Sequence, residues 1–168
     1  MIETERLTLR PLSFDDDEFI LELLNDPAWI EHIGDRGVRD LAGARGYIEN
    51  GPMKMLARHG FGLYLVLLKE SQIKIGLCGL LKRDYLPDPD LGFAFLPAYR
   101  SQGLAYEAAQ GVCEFAQKTL KIQQLLAITS PKNESSGRLL TRLSFENQGL
   151  VELADYGESL LWERDLSV

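Results

Sequence analysis

The spacing of apolar residues changes between positions 90 and 119. Residues 91–96 form a continuous apolar run of strand length. After Pro97-Ala98-Tyr99, the positions Leu104, Ala108, Val112, Phe115 and Ala116 recur at the helical period. The pattern predicts a buried strand, a short bridge, and a long helix opened by Arg100-Ser101-Gln102-Gly103-Leu104-Ala105. Upstream, residues 4–12 alternate through Leu7 and Leu9 as a half-buried strand that Pro11 stops. Ser13 followed by Asp16 resembles a capping box and starts a helix over 14–24, whose Phe19, Ile20, Leu23 and Leu24 share one face. The acidic residues Asp15, Asp16, Asp17 and Glu18 fit the positive end of that helix and read as a solvated turn.

Residues 25–62 are helical in pieces, 28–33, 41–49 and 52–58, separated by Gly34, Gly37 and Gly51, a pattern that suits a lid. Two apolar strands, 62–68 and 73–81, follow as a hairpin joined by Lys69-Glu70-Ser71-Gln72. After the long helix come a strand at 125–129, a helix at 134–143 behind Asn133, and a closing hairpin of 145–153 and 158–164. The strands at 91–96 and 125–129 are joined through a helix, so they should run parallel with a right-handed crossover. No repeat or linker-like shift in composition divides residues 1–168, which read as a single domain.

Composition narrows the function. The net charge of −7 disfavours a nucleic-acid partner, whose backbone requires a basic surface, and suits attraction of amines. No apolar run approaches the roughly 20 residues of a membrane span. The acidic start Met1-Ile2-Glu3-Thr4-Glu5 lacks the features of a signal peptide, so the expectation is a soluble cytoplasmic protein without a membrane partner. Cys78 and Cys113 sit in apolar stretches and read as small buried hydrophobes. Together with His32 and His59 they show no metal-ligand spacing, and no metal is expected. A strand edge or an apolar face leaves a homodimer open.

The start of the long helix carries the candidate chemistry. Its first N–H groups have no intrahelical partner and lie at the positive end of the macrodipole. A strand, a glycine turn and a helix therefore make an anion cradle. The stretch is neither G-x-G-x-x-G nor G-x-x-x-x-G-K-[ST]. Arg100 to Ala105 instead matches [RQ]-x-x-G-x-[GA], and the chain resembles the GNAT superfamily of acyl-CoA-dependent N-acetyltransferases. It looks closest to the RimJ/RimL-like branch, through "TERLTLRPL", "GFG", "DLGFAFLPAYRSQGLAYEA" and "NESSGRLLTRLSF" in order along the chain.

That resemblance implies an α/β fold of the α+β kind. Its mixed, mostly antiparallel twisted sheet has about seven strands, is flanked by helices, and splays between the fourth and fifth. It implies transfer of an acetyl group from acetyl-CoA to a primary amine, a protein N-terminus or a small molecule, within a ternary complex. The pyrophosphate is assigned to Gln102, Gly103, Leu104 and Ala105 with Arg100 beside them. The pantetheine arm is assigned to backbone groups of Phe95 and Leu96 and to Asn133. Asp90 stands where family members often carry Glu and is the candidate base, the shorter side chain favouring a water relay. Ser136, in the N-x-x-S that begins with Asn133, is the candidate donor to the leaving sulfur. Asn133 also reads as an N-cap for the Ser136 N–H. Ser144 departs from the family's usual Gly before Phe145. A catalytically idle acyl-CoA-binding or sensing module is the alternative.

Overall fold

The computed structural model describes residues 1–167. The strands are β1 (Ile2–Glu3), β2 (Leu7–Pro11), β3 (Leu63–Leu68), β4 (Lys74–Leu81), β5 (Asp90–Phe95), β6 (Gln124–Thr129), β7 (Glu146–Leu153) and β8 (Gly157–Asp165). The helices are α1 (Asp17–Leu24), α2 (Pro27–His32), α3 (Leu41–Ile48), α4 (Lys54–His59), α5 (Leu104–Lys118) and α6 (Glu134–Arg142). All eight strands join one sheet in the order β1-β2-β3-β4-β5-β6-β8-β7. Every pairing is antiparallel except β5 with β6, the pair that α5 connects. This is the mixed, mostly antiparallel sheet the sequence implies, with one strand more than expected because Ile2–Glu3, ahead of the expected strand, folds back onto it through a turn closed by Thr4 N–H on the Leu7 carbonyl.

Strand alternation sorts the core onto two faces. On β3, Tyr64 and Val66 pack with Leu104, Ala108, Val112 and Ala116 of α5, whereas Leu65 and Leu67 pack with Phe19, Ile20, Leu23 and Leu24 of α1. Cys78 and Cys113 are free thiols buried on the α5 face.

Two local expectations are corrected. The acidic run at the start of α1 is only half solvated: Asp15 and Glu18 are exposed, but Asp16 and Asp17 are not. Asp16 is fully buried and accepts hydrogen bonds from Arg10 (2.9 and 3.0 Å) and the Ser13 N–H (2.9 Å), with Lys74 Nζ 2.8 Å away. Asp17 is also buried and accepts from Arg45 at 2.8 Å. These ion pairs pin α1 to β2, β4 and α3. Second, Gly51 does not separate two helices. A π-helical turn over Glu49–Met53 carries α3 directly into α4, with Pro52 inside it. The wider turn tolerates a residue that lacks the N–H an α-helix would require there.

Ser144, just past α6, has a φ of 69°. Its N–H bonds to the Thr141 carbonyl and that of Phe145 to the Leu140 carbonyl, both at 3.0 Å, so Ser occupies the left-handed position of a Schellman motif.

Candidate active site

β5 and β6 touch at one point. Asp90 pairs with Leu126, whose N–H donates to the Pro89 carbonyl at 2.9 Å, and beyond that bridge no ladder continues. The strands diverge and open a gap. On the other edge of β5 the ladder to β4 is intact and continues to the Leu96 N–H on the Ile75 carbonyl, 3.0 Å. Backbone groups alternate along a strand, so those of Phe95 face the gap, and its carbonyl accepts from Arg100 Nε (3.0 Å) and Nη2 (2.8 Å).

The gap forms part of a cavity of about 1460 Å³ walled by α2, the α3–α4 segment, β5, the start of α5, β6, α6 and the turn between β7 and β8. Asp90, Phe95, Arg100, Gly103, Ala105, Asn133 and Ser136 line it; Leu96, Gln102 and Leu104 do not. Leu104 turns its side chain into the core, and Gln102 donates to the Ala98 carbonyl at 2.8 Å. Gly103 precedes α5 with a φ of 77°, and the space where a Cβ would stand is open apart from Arg6 Nη2 at 3.4 Å. The first bond of α5 runs from the Glu107 N–H to the Gly103 carbonyl at 3.1 Å, so the amides of Leu104, Ala105 and Tyr106 have no intrahelical acceptor. This accessible helix start, beside a gap between strands, fits a diphosphate with an extended arm.

Arg100 is not free beside that cradle. It ties the end of β5 to α2, since its Nη2 also donates to Asp26, the N-cap of α2, at 2.8 Å. Arg6, which the sequence did not single out, holds the cradle from outside. It donates to the Gln102 carbonyl (3.2 Å) and to Glu107 (2.7 Å).

At the closed end of the gap, Asp90 is 1% exposed and accepts from Arg83 Nε at 3.0 Å. Burial raises its pKa against the opposing pull of Arg83 and Lys82. Burial disfavours the charge of Arg83 in turn, but Asp90 and Tyr156 outweigh it and keep the guanidinium ionised. Asp90 is therefore an enclosed, paired carboxylate. Asn133 Oδ1 accepts the Ser136 N–H at 3.1 Å, which fixes the half-buried Ser136 on the first turn of α6. Across the cavity, Tyr47 stands edge-on to Trp29 with ring centroids 6.5 Å apart, and burial pushes its phenol up to about 12. The Trp29 indole N–H and His32 Nδ1 are buried without a hydrogen-bond partner.

The family profile described as "Acetyltransferase (GNAT) domain" matches residues 6–146. The chain belongs to the GNAT acetyltransferase family. This GNAT protein is 28% identical over 155 residues to an uncharacterized N-acetyltransferase, p20, of Bacillus licheniformis, a match covering 91% of this chain and 85% of that one. Among solved structures it superposes on an acetyltransferase from Agrobacterium tumefaciens str. C58 with a TM-score of 0.83 at 27% identity, covering 97% and 92% of the two chains. It shares its fold with RimL, a ribosomal L7/L12 alpha-N-protein acetyltransferase solved in complex with coenzyme A: TM-score 0.81, 16% identity, 96% and 95% coverage. Among its described residues no helix is long and apolar enough to cross a membrane.

Proposed function

We propose that this GNAT protein transfers an acetyl group from acetyl-CoA to a primary amine, on a peptide N-terminus or a small molecule, by direct attack with both substrates bound. The observation that carries the reading is the single-bridge contact of β5 with β6, which opens a gap onto the accessible amide end of α5. The cavity exceeds the ~300–1000 Å³ of a site for one ligand, which suits simultaneous occupancy. Among the described residues of its wall there is no cysteine to carry the acyl group.

In this reading the amides of Leu104 and Ala105 bind the donor's phosphates, and the Phe95 N–H hydrogen-bonds its pantetheine arm. The chemistry demanded of the side chains is modest. Neutralising an α-amine at neutral pH costs roughly 1 kcal/mol, against roughly 4.6 for a lysine-like amine. Asp90 takes that proton through water, its raised affinity for protons suiting the task. Ser136 donates to the departing sulfur.

Thiol release from acetyl-CoA over a panel of peptide N-termini, amino acids and polyamines tests this. Asp90→Asn should leave acetyl-CoA affinity within about twofold while lowering turnover about 10²- to 10⁴-fold, the usual contribution of a positioned base. Unchanged turnover removes Asp90 from the mechanism. Saturable acetyl-CoA binding with no release from any amine would sink the transferase reading in favour of a binding module.

A further inference from the structure

The loop between α2 and α3 and the turn between β7 and β8 meet over the cavity at one phenol. Arg36 Nη2 and Arg83 Nη1 both donate to Tyr156 Oη, at 3.0 and 2.9 Å, and both guanidiniums lie against its ring, 5.9 and 5.0 Å from the centroid. All three side chains line the cavity. Two incoming donors occupy the acceptor positions of the oxygen, so its own O–H remains to be donated.

The charges around this phenol are unbalanced. Arg83 has Asp90 as its counter-ion, held through Nε. Among the described residues no carboxylate stands within ion-pairing distance of Arg36, whose hydrogen bond goes to Tyr156. Asp155, the carboxylate next along the turn, is engaged by the Tyr85 hydroxyl at 3.3 Å, and Asp84, Glu31 and Glu158, which also line the cavity, form no ion pair with either arginine. Two cationic forks and a hydroxyl donor thus converge on one wall of a partly enclosed cavity, where Asp90 is paired with Arg83, Asp155 reaches Arg83 only through the Tyr85 hydroxyl, and Arg36 has no carboxylate partner among the described residues.

We infer that the acceptor amine carries an oxyanion, a carboxylate or a phosphate, which sits between Arg36 and Arg83 beside the Tyr156 hydroxyl. The inference rests on the acetyl-transfer reading above and adds the substrate class. Guanidinium forks match carboxylate and phosphate geometry and repel a polycation. They also favour the neutral form of a nearby amine, the form that attacks, so one arrangement both selects the acceptor and eases its deprotonation.

The test compares matched probes: an α-amino acid against its carboxamide, phosphoethanolamine against ethanolamine, and spermidine. Dissociation constants are measured on the CoA-loaded full chain, and KM from thiol release. At least one oxyanion should bind about 10- to 100-fold more tightly than its neutral twin, as expected for a charge-assisted hydrogen bond. The preference should weaken with salt, collapse in Arg36→Gln, and return in part in Arg36→Lys. Preference in the amino-acid pair alone identifies a carboxylate, and in the phosphoethanolamine pair alone a phosphate. Equal binding of neutral twins or of spermidine, no binding of either oxyanion, or discrimination unchanged in Arg36→Gln would overturn the inference. Binding is read separately from turnover, so a protein that binds the oxyanion selectively yet transfers no acetyl group upholds the anion site and refutes only the transferase reading.

Discussion

Asp16 is the most exacting test of how the helical layer over the cavity is attached. Asp16→Asn keeps an oxygen for the Ser13 N–H but removes the charge that holds Arg10 and Lys74. Those two cations, with Ser13, outweigh the cost of burial and hold the Asp16 pKa at about 2, below its usual 3.8. Such a depression corresponds to about 2.5 kcal/mol. Arg10 and Lys74 are 31% and 32% exposed, so water screens part of it and about 2 kcal/mol remains. In a chain of this size that lowers Tm by about 4–8 °C. Because the folded pKa is depressed, the stabilisation is fully present above 3.8 and is lost as pH falls through about 2. The gap between wild type and Asp16→Asn should therefore be widest near neutrality and shrink to about half by pH 3. Urea unfolding followed by circular dichroism between pH 3 and 7 measures it. A gap that is absent at neutrality, or that stays constant down to pH 3, refutes the reasoning.

Two backbone positions give further predictions. Ser144→Gly relieves a left-handed residue with a φ of 69° and should stabilise the protein by about 1 kcal/mol after the added freedom of the unfolded chain is counted; an unchanged or lower Tm contradicts this. Gly79→Ala places a Cβ 2.0 Å from the Gly62 carbonyl oxygen and 2.8 Å from the Leu63 Cα, both backbone atoms that cannot swing aside. It should cost about 3 kcal/mol or more, read as a lower urea midpoint, and a loss under about 1 kcal/mol would show that β3 and β4 separate more easily than their packing implies.

The parts of this molecule that were legible in the sequence are those set by local chemistry. The period of Leu104, Ala108, Val112 and Ala116 decides α5, because a helix burying one stripe has no other spacing available. Gly103 could be read as the glycine turn at the helix start, and the structure adds the reason, a left-handed backbone that few other residues adopt. Asn133 could be read as a cap because its partner, Ser136, is three residues away. The illegible parts depend on partners distant in the chain. Asp16 looks like any acidic helix start until the fold brings Lys74 to it. Arg100 looks like a phosphate ligand until Asp26 takes its guanidinium. Arg36 and Tyr156 lie in separate loops, and no periodicity links them.

The same dependence on distant partners bears on how an acidic protein would hold the anionic substrates proposed for it. Over the whole chain 25 carboxylates outnumber 18 lysines and arginines, so the mean field repels anions. Along the cavity wall the balance reverses, and lysines and arginines outnumber carboxylates. At physiological salt, charges beyond about 8 Å are largely screened, so a substrate entering the cavity responds to its wall and not to the outer surface. The outer charge keeps copies of the protein apart, and the low-dielectric wall concentrates the field of the largely buried Arg83, with the exposed Arg36 beside it. The two ends of the cavity then have related tasks. Under the proposed function the amide end of α5 would offer partial positive charge to the phosphates of the donor, and under the inferred anion site the arginine pair at Tyr156 would offer full positive charge to the acceptor. Asp90, placed where β5 leaves β6, is the carboxylate joined directly to that pair, through Arg83, and this is the position from which the proposed mechanism has it draw a proton from the acceptor amine.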